Sequence, residues 1–409
     1  MIACLKELKR VRKSAITLSL SLFILAFFTA QLPAAEIKFI PSIGLKEEYN
    51  DNLFFNTTTE LETSDYITTL SPGAKFTDRT ERLDALLQTR LDILRYRDND
   101  ELDRYDQDHL GRIRFRLTER MQASTEAGYI KDSRTDRDIE TTGAVLGTVR
   151  RERQHYACSG EDAFTEKTTL GLSYTYDQDK FNDPEYIDST AQQANLTFTH
   201  NLSSLFSMTS GRATLGYTLY DFPDTRVNNY SGTIGASTAI SEILNLSADV
   251  GWRFTRSRYE TLIWIFPIEE TTISRGIIGQ AELSFRGERT NGSLSFSHDV
   301  RSISGRIGAA KRTSLKLEIG RCFTYKLRGD ITAEYYLNRA KAGQLSWEDI
   351  DEETYRIQPR LRYNFTNELA LEASYRSTWL KYREMDQKGE QGLYFLRLSW
   401  QYPLPHAGS

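Results

Sequence analysis

Arg112, Arg114 and Arg116 alternate with Ile113, Phe115 and Leu117, and Arg356, Arg360 and Arg362 stand in the same phase against Ile357, Leu361 and Tyr363. A guanidinium stays charged at any physiological pH and offers five donors. A row of them at every second residue has two physical uses. In a narrow, water-filled passage with low-dielectric walls it raises the local concentration of anions. With carboxylates opposite, it is a girdle of ion pairs that stiffens a wall. The same wet phase of other segments carries Arg90, Asp92, Asp249, Arg253, Glu282, Lys316, Glu318, Arg328, Asp330, Glu334, Glu372, Arg376 and Arg397, all candidates for the lining of a lumen. Arg112, Arg114 and Arg116 are the foremost functional candidates, because no acid alternates with them in the sequence.

Catalysis finds no comparable support. His109, His155, His200, His298 and His406 are scattered, and no serine stands in a G-x-S-x-G context. Neither H-E-x-x-H nor CxxC occurs, so no enzyme activity, metal or cofactor is expected. His200 and His298 share the phase of Phe198 and Phe296. Cys158 and Cys322 fall on segments far apart in the chain and are expected to be free thiols.

The elements that position these side chains follow from a period-two beat. In Leu244–Phe254 the residues Leu244, Leu246, Ala248, Val250, Trp252 and Phe254 share one face, and Asn245, Ser247, Asp249, Gly251 and Arg253 share the other. Only an extended strand sorts residues this way. A turn phrase, an apolar residue followed by a small hydroxyl and polar residues, cuts the beat. It recurs at Phe76–Arg79, Leu117–Arg120, Phe164–Lys167, Leu202–Leu205, Ile240–Ile243, Phe323–Lys326 and Phe365–Glu368, with a weaker copy at Phe285–Glu288. Hydroxyl and Asx side chains suit turns because they bond the backbone nearby. Eight turns separate nine hairpins, which predicts an all-β, transmembrane antiparallel β-barrel of about 18 strands (range 16–18), with both termini on the short-turn, periplasmic side. The opposite, extracellular ends carry longer acidic loops at 51–65, 98–108, 177–188 and 348–353, expected to be solvated. The same loops could bridge divalent cations to phosphorylated lipid A, although none shows a D-x-D-x-D-G spacing. Loop 133–153, with Arg134, Arg137, Arg150, Arg151 and Arg153, is the expected constriction, or else an ordinary exposed loop.

Residues 1–35 read as a signal peptide: Lys6, Lys9, Arg10, Arg12 and Lys13 precede an apolar run from Ala15 to Ala30, then Pro33-Ala34-Ala35. Residues 36–402 form the barrel and 403–409 a short tail. The whole chain carries −4, and removing a leader of +4 leaves about −8, which argues against nucleic acid as a partner. The mean hydropathy of −0.51 is polar, yet alternation hides an apolar face from any average. The 22 Tyr and 20 Phe suit membrane–water interfaces, where one side of a ring is dry and the other wet. The final strand, Tyr394–Tyr402, turns Tyr394, Leu396, Leu398, Trp400 and Tyr402 to one face.

Pro41–Asn52, with its Glu48-Tyr49-Asn50-Asp51-Asn52 exit, resembles the first strand of a family of uncharacterised outer-membrane beta-barrel porins, often encoded near exopolysaccharide and exosortase-type gene sets. The Phe-Thr-Glu-Lys turn before Thr168–Tyr176 is similar to their inner hairpins. The resemblance runs over essentially the whole mature chain. It implies a Gram-negative outer-membrane barrel contacting lipid and lipopolysaccharide and inserted by the barrel-assembly machinery. The leading functional expectation is a passive channel for small hydrophilic or anionic solutes. Two alternatives stand beside it: an export conduit or accessory for exopolysaccharide, with export components as partners, and a structural or adhesion barrel binding a surface partner through its acidic loops.

Overall fold

The computed structural model describes residues 36–133, 149–204, 206, 208–263, 266–303, 305–346, 348–384 and 386–402. Eighteen strands follow one another: β1 (Glu36–Asn50), β2 (Asp65–Arg79), β3 (Leu83–Tyr96), β4 (Arg104–Arg116), β5 (Met121–Asp132), β6 (Arg151–Thr165), β7 (Thr168–Phe181), β8 (Ser189–Asn201) and β9 (Thr209–Phe222), then β10 (Thr225–Ser241), β11 (Leu244–Ile263), β12 (Phe266–Arg286), β13 (Thr290–Ser302), β14 (Ala309–Cys322), β15 (Leu327–Ala340), β16 (Ile350–Asn364), β17 (Leu369–Tyr382) and β18 (Gln387–Gln401). Each pairs antiparallel with its sequence neighbours, and β1 pairs with β18 from Ser42↔Gln401 to Asn50↔Leu393, closing the ring. Closure satisfies the backbone donors and acceptors that an open sheet would leave at its edges.

The outer face is dry. Leu45, Leu172, Leu215, Ile234, Val250, Leu361 and Leu396 are exposed on it. Toward the loop ends it carries Tyr66, Tyr105, Tyr230, Tyr355 and Tyr394, and toward the turn ends Phe39, Phe115, Phe198, Phe365 and Trp400. Several of the upper rings pair across strands, Tyr49 with Tyr66 at 4.9 Å and Tyr375 with Tyr394 at 4.5 Å between centroids. Outward histidines are bonded to a neighbouring threonine in three places: His109 to Thr89 (2.7 Å), His200 to Thr168 (2.9 Å) and His298 to Thr313 (2.8 Å). An imidazole on a dry wall thus has its polar edge occupied.

Four of the turns share one chemistry. Thr80, Thr118, Thr324 and Thr366 each accept, through Oγ1, the backbone N–H three residues on, at 2.9–3.0 Å. The first turn corrects the sequence reading: Phe76–Arg79 is still strand, and the chain reverses at residues 80–82. Thr77 and Thr80 are both hydroxyls followed by charged residues, and the β2–β3 register selects the second.

The β12–β13 ladder is the shortest. β12 pairs with β13 only from Gly279↔His298 down to Arg286↔Asn291, whereas it pairs with β11 up to Ile263↔Phe266. Above that level the β13–β14 tip leaves the wall and folds inward. Val300, Ile303, Ala309 and Ala310 bury against Tyr220, Phe222 and Val227 of β9 and β10, and the Tyr220 hydroxyl donates to the Val300 carbonyl at 3.0 Å.

Candidate functional site: the inner wall

Strand parity fixes which side chains share the inner wall, because each cross-strand partner points to the same side. Arg90, Arg112, Arg114, Arg116, Asp249, Arg253, Glu282, Lys316, Glu318, Arg328, Asp330, Glu334, Arg356, Arg360, Arg362, Glu372, Arg376 and Arg397 all lie in the phase opposite the exposed apolar belt. Asp92 joins them, directly opposite Asp106 of β4.

Most of these charges are tied into ion pairs. Glu334 faces Arg356 across β15–β16, with Nε 2.5 Å from Oε2 and both side chains almost wholly buried; Lys316 approaches its other oxygen at 3.5 Å. Lys316 also meets Glu318 at 2.9 Å, and Arg328 meets Asp330 at 2.8 Å. Arg90 lies 3.3 Å from Asp92 and 3.2 Å from Asp108, and Arg360 lies 3.8 Å from Glu372. Asp249 takes the Arg212 Nε at 2.9 Å and the Gln280 amide at 2.9 Å. Arg253, nearly fully buried, donates to the Thr255 hydroxyl at 2.7 Å. Arg362 and Arg376 donate to Asn364 and Gln358 at 3.2 and 3.1 Å.

The foremost sequence candidates need a correction. Arg112 is not free of acid: Glu126, directly opposite on β5, holds it at 2.6 Å. The acid comes from the next strand, 14 residues on, where inspection of β4 alone would not find it. Arg114 and Arg116 have no ion-pair partner among the described residues. Glu282 faces Ser247 and Ser295 and has none either.

The loops also differ from expectation. Segment 51–64, expected to be solvated, turns inward: Leu53 packs with Ile67, Leu94 and Tyr96, and Phe55 with Tyr336 and Leu380. Asn52 pins it, its amide donating to the Asn56 and Glu390 carbonyls at 2.9 Å and its Oδ1 accepting the Asn56 N–H at 2.8 Å. Asp51 takes the Gly392 N–H at 2.6 Å. The Asp51-Asn52 pair of the first-strand motif is therefore a clamp between this loop and β18. Asp65 holds the next loop by accepting the N–H groups of Arg97, Asp98 and Asn99.

Residues 303, 305–308, 341–346 and 348–349 complete the infolding. Gly308, at φ +106°, lies so close to the second segment that an added Cβ would stand 2.4 Å from the Leu345 carbonyl oxygen. Ala309 donates to that same carbonyl at 2.6 Å, and Ile187 donates to the Gly305 carbonyl at 3.1 Å. Arg306 anchors the first segment on Glu352 at 2.5 Å. Burial pulls the Arg306 pKa down, but the Glu352 carboxylate outweighs it and holds the guanidinium above its ordinary value. Residues 134–148 of the expected constriction lie outside the described residues. Of its described arginines, Arg153 is bound to Asp179, and Arg151 lies 3.8 Å from Asp132. A sequence signal for the infolded loops existed: Ile67, Leu94 and Tyr96 are apolar residues in the wet phase of their strands, next to loops.

Beneath segment 51–64, between β1–β4 and β16–β18, the inner wall encloses a cavity of about 290 Å³. Its charged lining comprises Lys46, Arg90, Arg104, Arg360, Arg376 and Arg397 against Glu48, Asp92, Asp106 and Glu372. Asn50, Thr69, Gln358, Gln391, Tyr96 and Phe395 complete much of the rest. Arg104 lies over the Tyr96 ring and Lys46 over the Phe395 ring, 5.4 and 5.7 Å from the centroids. No group of three or more His, Cys, Asp or Glu is placed to hold a metal among the described residues. Cys158 and Cys322 are free and exposed.

No family model and no curated protein matches the chain. Among solved structures, OpdO of Pseudomonas aeruginosa is similar at 10% identity and a TM-score of 0.45 over 90% of this chain and 98% of that one. OccAB4 of Acinetobacter baumannii is similar at 8% identity and a TM-score of 0.46 over 91% and 99%. The copper transporter OprC is similar at 10% identity and 0.45, over 86% of this chain and 64% of that one. Likenesses this distant decide nothing about solute or partner. The barrel itself rests on the strand register above.

Proposed function

We propose that the chain is a Gram-negative outer-membrane barrel forming a passive channel for small hydrophilic solutes, with a bias toward anions. The single observation that carries the reading is the charged cavity on the inner wall of a closed barrel, lined by six cationic side chains and four carboxylates. A passage narrowed to such a cavity favours anions, because fixed cations in a low-dielectric wall concentrate them. The apolar outer belt between two aromatic zones supports placement in a bilayer. A leader at residues 1–35, contact with lipid and lipopolysaccharide, and insertion by the barrel-assembly machinery belong to the same proposal. Infolded residues 51–64, 303, 305–308, 341–346 and 348–349 narrow the loop end, which suits small solutes better than a polymer.

The test is reconstitution in planar bilayers with a potassium chloride gradient. A channel of this kind conducts, and its reversal potential lies on the anion-selective side. A barrel that folds and inserts without conducting would refute the reading.

A further inference from the structure

Near the loop end of the outer face, arginines are answered by acids in several places: Arg95 lies 3.5 Å from Asp103, Arg339 3.3 Å from Asp351 and Arg383 2.6 Å from Glu353. The face built by β10–β12 departs from this. Arg256 and Arg275 share the outward phase of Trp252 and Ile277, both are exposed, and neither has an ion-pair partner among the described residues. Arg275 stands directly opposite Phe254 and lies over its ring, 5.7 Å from the centroid. Arg256 is opposite Ile273 on β12 and Asn228 on β10. One outward rung higher, Arg258 is directly opposite Arg226, which Asp221 holds at 2.9 Å. The next outward rung is Glu260 with Glu269. It lies about 14 Å along the strand from Arg256, and farther still from Arg275.

Below these arginines the dry wall is hollowed. The next outward rung down is Leu215–Gly232–Trp252–Ile277, and the two beneath it carry Ala213, Gly279, Ala236, Ala248 and Ala281. Side chains this small leave two grooves of about 660 and 680 Å³, which share Ile234, Val250 and Ile277 and so form one depression. From Arg275 to Ala281 is six residues of β12, about 20 Å along a strand. At a tilt near 40° that is roughly 15 Å of depth, half of a hydrocarbon core. The depression therefore spans one leaflet. The arginines stand where the headgroups of that leaflet lie, beside the paired rings of Tyr217 and Tyr230.

We infer that the β10–β12 face binds a phosphorylated glycolipid of the outer leaflet, its phosphate held between Arg256 and Arg275 and its acyl chains laid in the depression below. The two arginines are diagonal neighbours across β11–β12, with Cβ atoms roughly 7–8 Å apart, so both guanidinium forks can close on one phosphate. Arginine suits that role because its planar donors match phosphate oxygens in pairs. Arg226 and Arg258 add positive charge one rung higher, against the single carboxylate of Asp221. A lipid without the phosphate fills the depression and leaves Arg256 and Arg275 to water. A free phosphate meets the arginines and leaves the depression unused. The inference rests on the outer-membrane placement proposed above, since it names a lipid partner of the outer wall.

The test is native mass spectrometry of the detergent-solubilised full chain titrated with phosphorylated lipid A, with the same lipid A dephosphorylated, and with inorganic phosphate, beside potassium chloride conductance of the same preparation in planar bilayers. The phosphorylated lipid should bind at least about tenfold more tightly than the dephosphorylated one, having one more set of charge-assisted hydrogen bonds, and inorganic phosphate at equal concentration should not displace it. This comparison uses the parent chain alone and does not depend on how any variant folds. Arg256→Gln with Arg275→Gln should weaken phosphorylated lipid A about tenfold or more and leave the dephosphorylated form within about twofold. Arg95→Gln with Arg339→Gln removes two outer arginines already held by acids and should leave both affinities within about twofold. Equal binding of the two lipids by the parent would overturn the inference, as would displacement by inorganic phosphate, an unchanged affinity in the first double variant, or an equal loss in the second. If the barrel conducts and shows no preference for the phosphate, only this inference falls. If the preference holds and conductance is absent, the site stands and the channel reading falls.

Discussion

Glu334→Gln is the sharpest test of how this wall is held together. In the folded barrel Glu334 lies between Lys316 of β14 and Arg356 of β16, with its side chain and that of Arg356 nearly sealed from solvent. The neutral amide leaves a buried guanidinium without its counter-charge. Breaking a buried pair from one side costs about 3–5 kcal/mol. The low end applies, because Lys316 is partly exposed and can turn its ammonium to water, so only one cation is stranded. About 3 kcal/mol is roughly a hundredfold in the folding equilibrium. The assay is urea unfolding of the refolded barrel in detergent, followed by tryptophan fluorescence, with midpoints compared at constant slope. Glu334→Leu with Arg356→Met removes both charges and should return to within about 1 kcal/mol of the parent. If Glu334→Gln alone lies within 1 kcal/mol of the parent, or the double variant is worse than the single, the account of a desolvated pair is wrong.

Other outcomes follow from the same geometry. Arg114→Gln with Arg116→Gln should move the reversal potential toward cations, and adding Arg112→Gln should move it further, because Glu126 then keeps only His155, 3.7 Å away; an unmoved potential in a conducting barrel would assign these arginines to the wall alone. Replacing 341–349 by a short Gly-Ser linker should raise single-channel conductance, since that segment packs inside the loop end, and an unchanged conductance would mean it does not narrow the passage. Thr366→Ala should cost about 1 kcal/mol by the urea assay, having lost the turn hydroxyl that accepts the Leu369 N–H. Glu384, in the β17–β18 loop, has its pKa raised above the usual 4.5 by loss of hydration and by Asp349, Asp351 and Glu352. A raised carboxyl favours the folded state while protonated and loses that contribution as pH rises through its folded pKa, so Glu384→Gln should be the more stable form at pH 7 and lose its advantage below pH 4.5.

The ring and its strand count were legible because period two and the hydroxyl turn are local: Leu244–Phe254 shows its two faces without a neighbour, and Thr118, Thr324 and Thr366 bond only three residues on. The phase of Arg112, Arg356 or Arg397 is fixed by the same beat. What the charges touch is not local. Glu126 meets Arg112 only after a turn, and the Lys46–Arg397 rung forms only when the last strand meets the first. Segment 51–64 was missed because its acidic composition was read as solvation, while its two apolar residues, Leu53 and Phe55, decide where it goes.

The β12–β13 ladder keeps eight rungs and the β18–β1 ladder nine, against fourteen between β15 and β16 or fifteen between β1 and β2. Mechanically the barrel is two curved plates, β1–β12 and β13–β18, joined along two weak hems. Load on the wall concentrates at these hems, so they are where it should yield first, as a shell with two scored lines splits along them. The charged cavity straddles one hem, with Lys46 on the larger plate and Arg397 on the smaller.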